Sequence, residues 1–289
     1  QTTGHNGSAT AVQLKSSSIF GTKANGNLTT GTINMGSSTP TDKKNYNYTA
    51  LSGNYKNCRF AGRPDSVVYY AKFKRGGSGD YKGRLHALIH GNYAYKDPYE
   101  TAENKAKYLI AEATVYADVS SNWVRYSGAF IYTGKEDATS YLLASFTTNE
   151  TPGATANDEF DIDDISFIYN SQLASVTYDG ASVSVATAMN VAKAYDPSKI
   201  ALTANGVGAS IEKNYNATTG LLTITVKGND VSVNPTNVHN YTIQFATASA
   251  APKLASISVG GQSLSDFGLT FNPATTTYTL PIAYHRGIV

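Results

Sequence analysis

Residues Asp65 to Lys74 read "DSVVYYAKFK" and alternate strictly. Val67, Tyr69, Ala71 and Phe73 fall on one side of an extended chain, and Val68, Tyr70, Lys72 and Lys74 on the other. A period of two built from β-branched and aromatic residues marks a strand with one core face and one half-exposed face. Moving outward, "GRLHALIHGN" from Gly83, "KYLIAEATVYAD" from Lys107, "NWVRYSGAFIY" from Asn122 and "SYLLASFTTNE" from Ser140 look like further strands, separated by loops rich in Gly, Asn and Asp. Together they predict a two-sheet β-sandwich of jelly-roll type over residues 1–170.

The composition agrees with an all-β chain. At 289 residues and 41% hydrophobic it can bury more than one core, and only 15% of it is charged. A formal net charge of +2, with no Lys/Arg run among aromatics, argues against nucleic acid as a partner. No stretch reaches the roughly 20 apolar residues of a membrane-spanning helix. Cys58 is the single cysteine, so no internal disulfide forms, and "NCRF" has no metal-ligand spacing. The Tyr-, Asn- and Thr-rich, low-charge composition is that of exported β proteins, at the cell surface or secreted.

A repeat organises the rest. "LASVTYDGASVS" from Leu173 aligns without gaps on "LASISVGGQSLS" from Leu254, which predicts two copies of one small unit in tandem. Residues 171–250 read as an immunoglobulin-like β-sandwich of short strands punctuated by "DG", "NG", "TTG" and "GND" turns. Residues 251–289 read as a partial second copy with strands "KLASISV", "LTFN" and "TTYTLPIA", joined through a short "APK" linker. So few strands cannot close a sandwich, which leaves a piece of a longer chain or completion by a neighbouring chain.

Chemistry is concentrated in two places. The stretch "DEFDIDDISFIY", Asp158 to Tyr169, puts Phe160 and Ile162 in one parity and Ile165, Phe167 and Tyr169 in the other. A β-bulge between Asp163 and Asp164 would keep all five apolar groups in the core and turn neighbouring carboxylates the same way. Asp158, Asp161, Asp163 and Asp164 are then candidate ligands of a structural Ca²⁺, since hard cations take oxygen donors; the alternative is a set of solvated acids at a strand entry. The loop "GNYAYKDPYE" carries Tyr93, Tyr95 and Tyr99, and Trp123 is the only tryptophan. Such rings can stack on the C–H face of a sugar, with His90, Asn92 and Asn149 as polar partners, or they can simply pack the loop. His86 and His90 are four apart, which on a strand is about 13 Å, so they do not share a metal.

The ordered set "GRPDSVVYYAKF", "HALIHGN", "KDPYE", "YLLASFTTNETPG" and "DEFDIDDISFIY" resembles the putative carbohydrate metabolism domain (PCMD) of Bacteroidetes surface lipoproteins, from about Asn6 to Tyr169. The resemblance implies a galactose-binding-like jelly roll, exported to the cell surface and linked to glycan use. The trailing repeats look like immunoglobulin-like or cadherin-like spacers, "FNPATTTYTLPIA" being typical of the latter.

These readings make a noncatalytic module for a poly- or oligosaccharide the leading expectation. A glycoside hydrolase would instead need Asp97, Glu100 or Glu150 to face one of the Asp158 to Asp164 acids within about 10 Å. A structural or adhesive surface protein is the third class, marked by a neighbouring chain completing the last unit.

Overall fold

The computed structural model describes residues 3–52, 59–135, 137–247 and 254–281. Cys58, the "APK" linker and the last two residues of "TTYTLPIA", Ile282 and Ala283, lie outside the described residues.

In chain order the first strands are β1 (Val12–Lys15), β2 (Ser17–Ile19), β3 (Thr22–Ala24), β4 (Asn27–Thr29), β5 (Thr32–Met35), β6 (Asn45–Tyr48), β7 (Ser66–Lys74), β8 (Gly83–His90) and β9 (Lys96–Asp97). After the helix α1 (Ala102–Tyr108) come β10 (Leu109–Ala117), β11 (Ser120–Ala129), β12 (Ile131–Tyr132), β13 (Tyr141–Thr147) and β14 (Glu159–Ile168). They form a front sheet ordered β1-β14-β7-β11 and a back sheet ordered β12-β10-β8-β13-β4, both antiparallel. The two layers bury Val67, Tyr69, Ala71 and Phe73 from β7 against Leu85, Ala87 and Ile89 from β8, as the alternation predicts. Phe160, Ile162 and Phe146 complete this core, with Tyr69, Phe146 and Phe160 meeting at centroid distances of 5.1 to 6.4 Å. The fold is an all-β sandwich of jelly-roll type.

A third, small sheet ordered β5-β6-β9 lies over part of the back sheet. Together with α1 it encloses a separate cluster of Leu88, Tyr95, Leu109 and Leu143, packed by Tyr93 and Tyr108. The helix falls inside a region expected to be strand and loop. Thr101 caps it, its hydroxyl accepting from Asn104 N–H at 3.1 Å, with Glu103 in the first turn and Lys105 and Lys107 in the last.

The bulge in β14 is present where the parity changes. Asp163 pairs with Tyr70 and Ser166 with Val68, so Asp164 and Ile165 together oppose Tyr69. Asp164 takes a φ of 49°, a left-handed conformation that Asp tolerates better than most residues. The expectation that all five apolar groups enter the core is corrected at Ile165. Phe160 and Ile162 are buried and Phe167 packs against the core, but Ile165 is 49% exposed, because the extra residue lifts that turn of chain off the sheet.

The next strands are β15 (Leu173–Tyr178), β16 (Ala181–Val183), β17 (Ala188–Val191), β18 (Ile200–Ala204), β19 (Ser210–Asn216), β20 (Leu221–Lys227) and β21 (Val238–Phe245). They form sheets β16-β15-β18 and β17-β21-β20-β19 around Leu173, Val176, Tyr178, Leu222, Ile224, Val226, Ile243 and Phe245, an immunoglobulin-like sandwich. The edge strand β17 pairs parallel to β21. Bonds tie this sandwich to the first. The Asp65 carboxylate accepts from Asn170 N–H at 2.7 Å and from Val207 N–H at 2.8 Å. Asn229 Oδ1 accepts from Arg63 N–H at 2.7 Å, and Asn237 Nδ2 donates to the Tyr169 carbonyl at 2.8 Å. Gly206 is needed here, since a Cβ on it would collide with the Asn170 carbonyl.

Residues 254–281 contain only the hairpin β22 (Ser258–Val259) and β23 (Gln262–Ser263), followed by a short 3₁₀ turn at Leu264–Phe267. "LTFN" and the described part of "TTYTLPIA" are not strands, a correction with a simple cause: a two-stranded hairpin offers them no sheet to join.

Candidate functional site

The carboxylates of β14 separate into three groups. Asp158 is fully buried, and its carboxylate accepts from Ser16 Oγ at 2.8 Å, from Gly76 N–H at 2.9 Å, from Asn149 Nδ2 at 3.4 Å and from the Thr155 hydroxyl. It stitches the end of β1, the glycine-rich loop after β7 and the loop before β14 to one point. This explains Gly76, where a Cβ would strike the chain at Ala156 and Asn157. Asp161 lies on the outward face and accepts from Gln13 Nε2 at 2.8 Å. Asp163 and Asp164 do turn the same way, as a bulge requires, and they converge on His5. Asp163 Oδ2 accepts from His5 N–H at 2.8 Å, and Asp164 Oδ2 lies 2.7 Å from His5 Nδ1. The expected four-acid cation cluster is therefore corrected: Asp158 points inward while its neighbours are spread along the outer face. Among the described residues no group of three or more His, Cys, Asp or Glu side chains is arranged to hold a metal.

The seven residues expected to read a sugar do not form one site either. Tyr95 is 1% exposed and His90 and Asn149 are buried, so all three are interior groups. The His90 ring lies between Tyr95 and Tyr141, at centroid distances of 5.1 and 5.7 Å. Its Nδ1 donates to the Gly91 carbonyl and its Nε2 lies 2.8 Å from Thr49 Oγ1, which suits a neutral imidazole. Burial pushes its pKa down to about 4, against weaker upward pulls from Gly91 and Glu100. Tyr93 is stacked on Tyr108 at 4.2 Å and accepts from Asn104 Nδ2, so one of its faces is filled. Tyr99 and Asn92 are at the surface, Tyr99 donating to the Thr41 carbonyl. The loop tyrosines pack because β5, β6 and β9 roof the back sheet at that point. The short runs "TINM" and "NYNY" gave no clear strand signal that would have announced this roof.

Trp123 is elsewhere, half-buried on the outward face of the front sheet. Lys72 Nζ lies 4.6 Å from its ring centroid, and Lys72 pairs across the strands with Asp161, which pairs with Gln13. The neighbouring row runs Asp163, Tyr70, Arg125. His5 stacks on Tyr70 at 3.7 Å and meets Trp123 edge-on at 6.1 Å. Beside this patch, between β1 and the bulge, an open cleft of about 430 Å³ is lined by residues that include Gln13, Asp163, Asp164 and Ile165. Tyr70 and Lys72 were legible as the half-exposed side of "DSVVYYAKFK"; Gln13 and His5 carried no signal in the sequence.

Neither a family model nor a curated protein matches the chain. Among solved structures the chain is similar to a Bacteroides thetaiotaomicron protein described as a "putative glycoside hydrolase", at 18% identity and a TM-score of 0.43, over 56% of this chain and 54% of that one. The chain thus spans about half of that protein's length.

The acids named for a hydrolase are spread over both sheets and the loops beside them. Asp97 is buried on the outer side of the back sheet and Glu100 accepts from Lys96 and Thr101 N–H in the loop beside it. Glu150 sits against the Tyr116 hydroxyl of β10. Asp161 and Asp163 face out from the front sheet, with both sheets and the core between. No helix among the described residues is long and apolar enough to cross a membrane.

Proposed function

We propose that the first sandwich is a noncatalytic carbohydrate-binding module that takes its ligand on the outward face of the front sheet, with the immunoglobulin-like unit as a spacer. The observation that carries this reading is Trp123, half-buried beside Lys72, whose ammonium lies 4.6 Å from the ring centroid and which is paired in one cross-strand row with Asp161 and Gln13. An indole face supplies apolar stacking, and the ammonium, carboxylate and amide beside it supply both donors and acceptors for hydroxyl groups, which is the pairing a pyranose requires. The open cleft at the bulge extends the same face. The site is shallow, so affinity per site is weak and the ligand is a chain of sugars rather than an enclosed monosaccharide. Export to the cell surface as part of glycan capture belongs to the same proposal.

The test is a glycan array on the full chain with Trp123→Ala beside the wild type, scoring bound and released sugar. Binding without release that drops at least about tenfold in the variant is expected, the loss of one aromatic stacking contact with its buried area. Undiminished binding by a folded Trp123→Ala chain refutes the site, and released reducing sugar refutes the noncatalytic assignment.

A further inference from the structure

The back sheet is roofed over only part of its outer face. Beyond the cluster of Leu88, Tyr95, Leu109 and Leu143, the face carries polar side chains in adjacent cross-strand rows. In one row Tyr116 of β10, Arg84 of β8 and Thr147 of β13 lie side by side, and in the next His86 follows Arg84 on β8.

Among the described residues three of these groups have a donor or acceptor without a hydrogen-bond partner. Arg84 Nε and Thr147 Oγ1 are buried with no partner, and they are cross-strand neighbours. Among the described residues Arg84 makes no ion pair. The nearby Glu150 lies beside the Tyr116 hydroxyl and is not within ion-pair distance of Arg84. His86 is held from behind, its Nδ1 2.9 Å from the buried Asp97 Oδ1, while its Nε2 stands 3.9 Å from Glu112 Oε2, beyond hydrogen-bond reach. Tyr116, 42% exposed, gives the shelf a flat apolar side.

Arg84 is half-buried, and its buried, unpaired N–H beside an unpaired hydroxyl costs free energy that a ligand can return. A guanidinium fork matches a carboxylate in two parallel bonds. Arg84 and His86 are two residues apart on one strand, about 7 Å, the span of a pyranose ring with its exocyclic carboxyl. We infer that this shelf is a second binding site, for a uronic acid unit whose carboxylate meets Arg84 and Thr147 and whose ring hydroxyls meet His86 and Glu112. The ligand class rests on the carbohydrate reading above, but the site is on the opposite sheet and fails or stands separately.

The experiment measures, on the full chain by calorimetry, the affinity for a galacturonic acid trisaccharide and for its neutral galactose counterpart. Wild type, Arg84→Gln, Arg84→Lys and Trp123→Ala are compared, each checked for folding by thermal melt. The acidic sugar is expected to bind roughly 10- to 100-fold more tightly, the range for a charge-assisted pair. Arg84→Gln removes that preference, Arg84→Lys keeps part of it, and Trp123→Ala leaves it intact. Equal affinity for both sugars, or a preference that survives Arg84→Gln, overturns the inference while leaving the Trp123 site standing. Loss of the preference in Trp123→Ala alone assigns acid recognition to the front sheet and overturns it too. Equally strong binding of acetate shows a bare anion site and overturns the saccharide assignment, and failure of the acidic sugar to bind overturns this inference while leaving the front-sheet reading to the glycan array.

Discussion

His90 makes a quantitative prediction about acid. Its ring is buried between Tyr95 and Tyr141, with Nδ1 donating to Gly91 and Nε2 against the Thr49 hydroxyl, and its pKa is pushed from an ordinary 6.5 to about 4. The folded chain therefore binds a proton on this residue less readily than the unfolded chain does. Where the unfolded state holds more protons, stability rises with pH, so the contribution is complete above about pH 6.5 and is lost as pH falls towards 4. A shift of about 2.5 units corresponds to about 3 kcal/mol in total, of which roughly 2 kcal/mol disappears between about pH 7 and 5. Urea unfolding followed by the fluorescence of Trp123 reports the first sandwich specifically, because that is the only tryptophan. Carboxylates titrate in the same range, so the informative quantity is the difference from His90→Gln, which keeps polar groups at the site but cannot charge. The wild type should lose about 2 kcal/mol more than the variant over that pH step. Parallel loss in the two proteins would show that His90 is accessible to protons in the fold and would refute the reasoning.

Three other outcomes follow from the same structure. Asp158→Ala strands the Ser16, Thr155, Asn149 and Gly76 donors, so it should cost roughly 3 kcal/mol and lower the melting temperature of the first sandwich by about 6–12 °C in a calorimetric scan. Gly206→Ala forces a Cβ onto the Asn170 carbonyl, and limited proteolysis should then cut near Tyr169–Gln172, a stretch the wild type protects. Because His5 already engages Asp163 and Asp164, millimolar Ca²⁺ or a chelator should move the wild-type melting temperature by less than about a degree, whereas His5→Ala should gain a Ca²⁺-dependent increase.

The parts of the fold written in local periodicity were legible. "DSVVYYAKFK" announced both faces of β7, and the parity change in "DEFDIDDISFIY" announced the bulge with its paired carboxylates. The roles of the residues were less so, because a side chain's surroundings are set by distant segments. Asp163 and Asp164 meet a histidine about 160 residues away in the chain. Tyr95 and His90 looked like loop residues near a strand end, and they are interior because β5 and β6, from over 40 residues earlier in the chain, pair with the local β9 and cover them. Helix α1 was missed for the opposite reason: its cap and charges were present, but about two turns is too short to stand out from a strand-rich background. Ile165 shows the limit of parity itself, since a bulge restores the phase of the residues after it without burying the extra residue.

The seam where Asp65 spends both carboxylate oxygens, with Asn229 and Asn237 closing it from the other side, acts as a locked wrist. A receptor on a swivel surrenders orientational freedom each time it grips a surface; one with a fixed wrist has given it up on folding. Many such molecules side by side would hold their faces parallel, and a long polymer lying across them would meet each successive face already aimed. Weak single grips would then add up through local concentration rather than through any stronger contact.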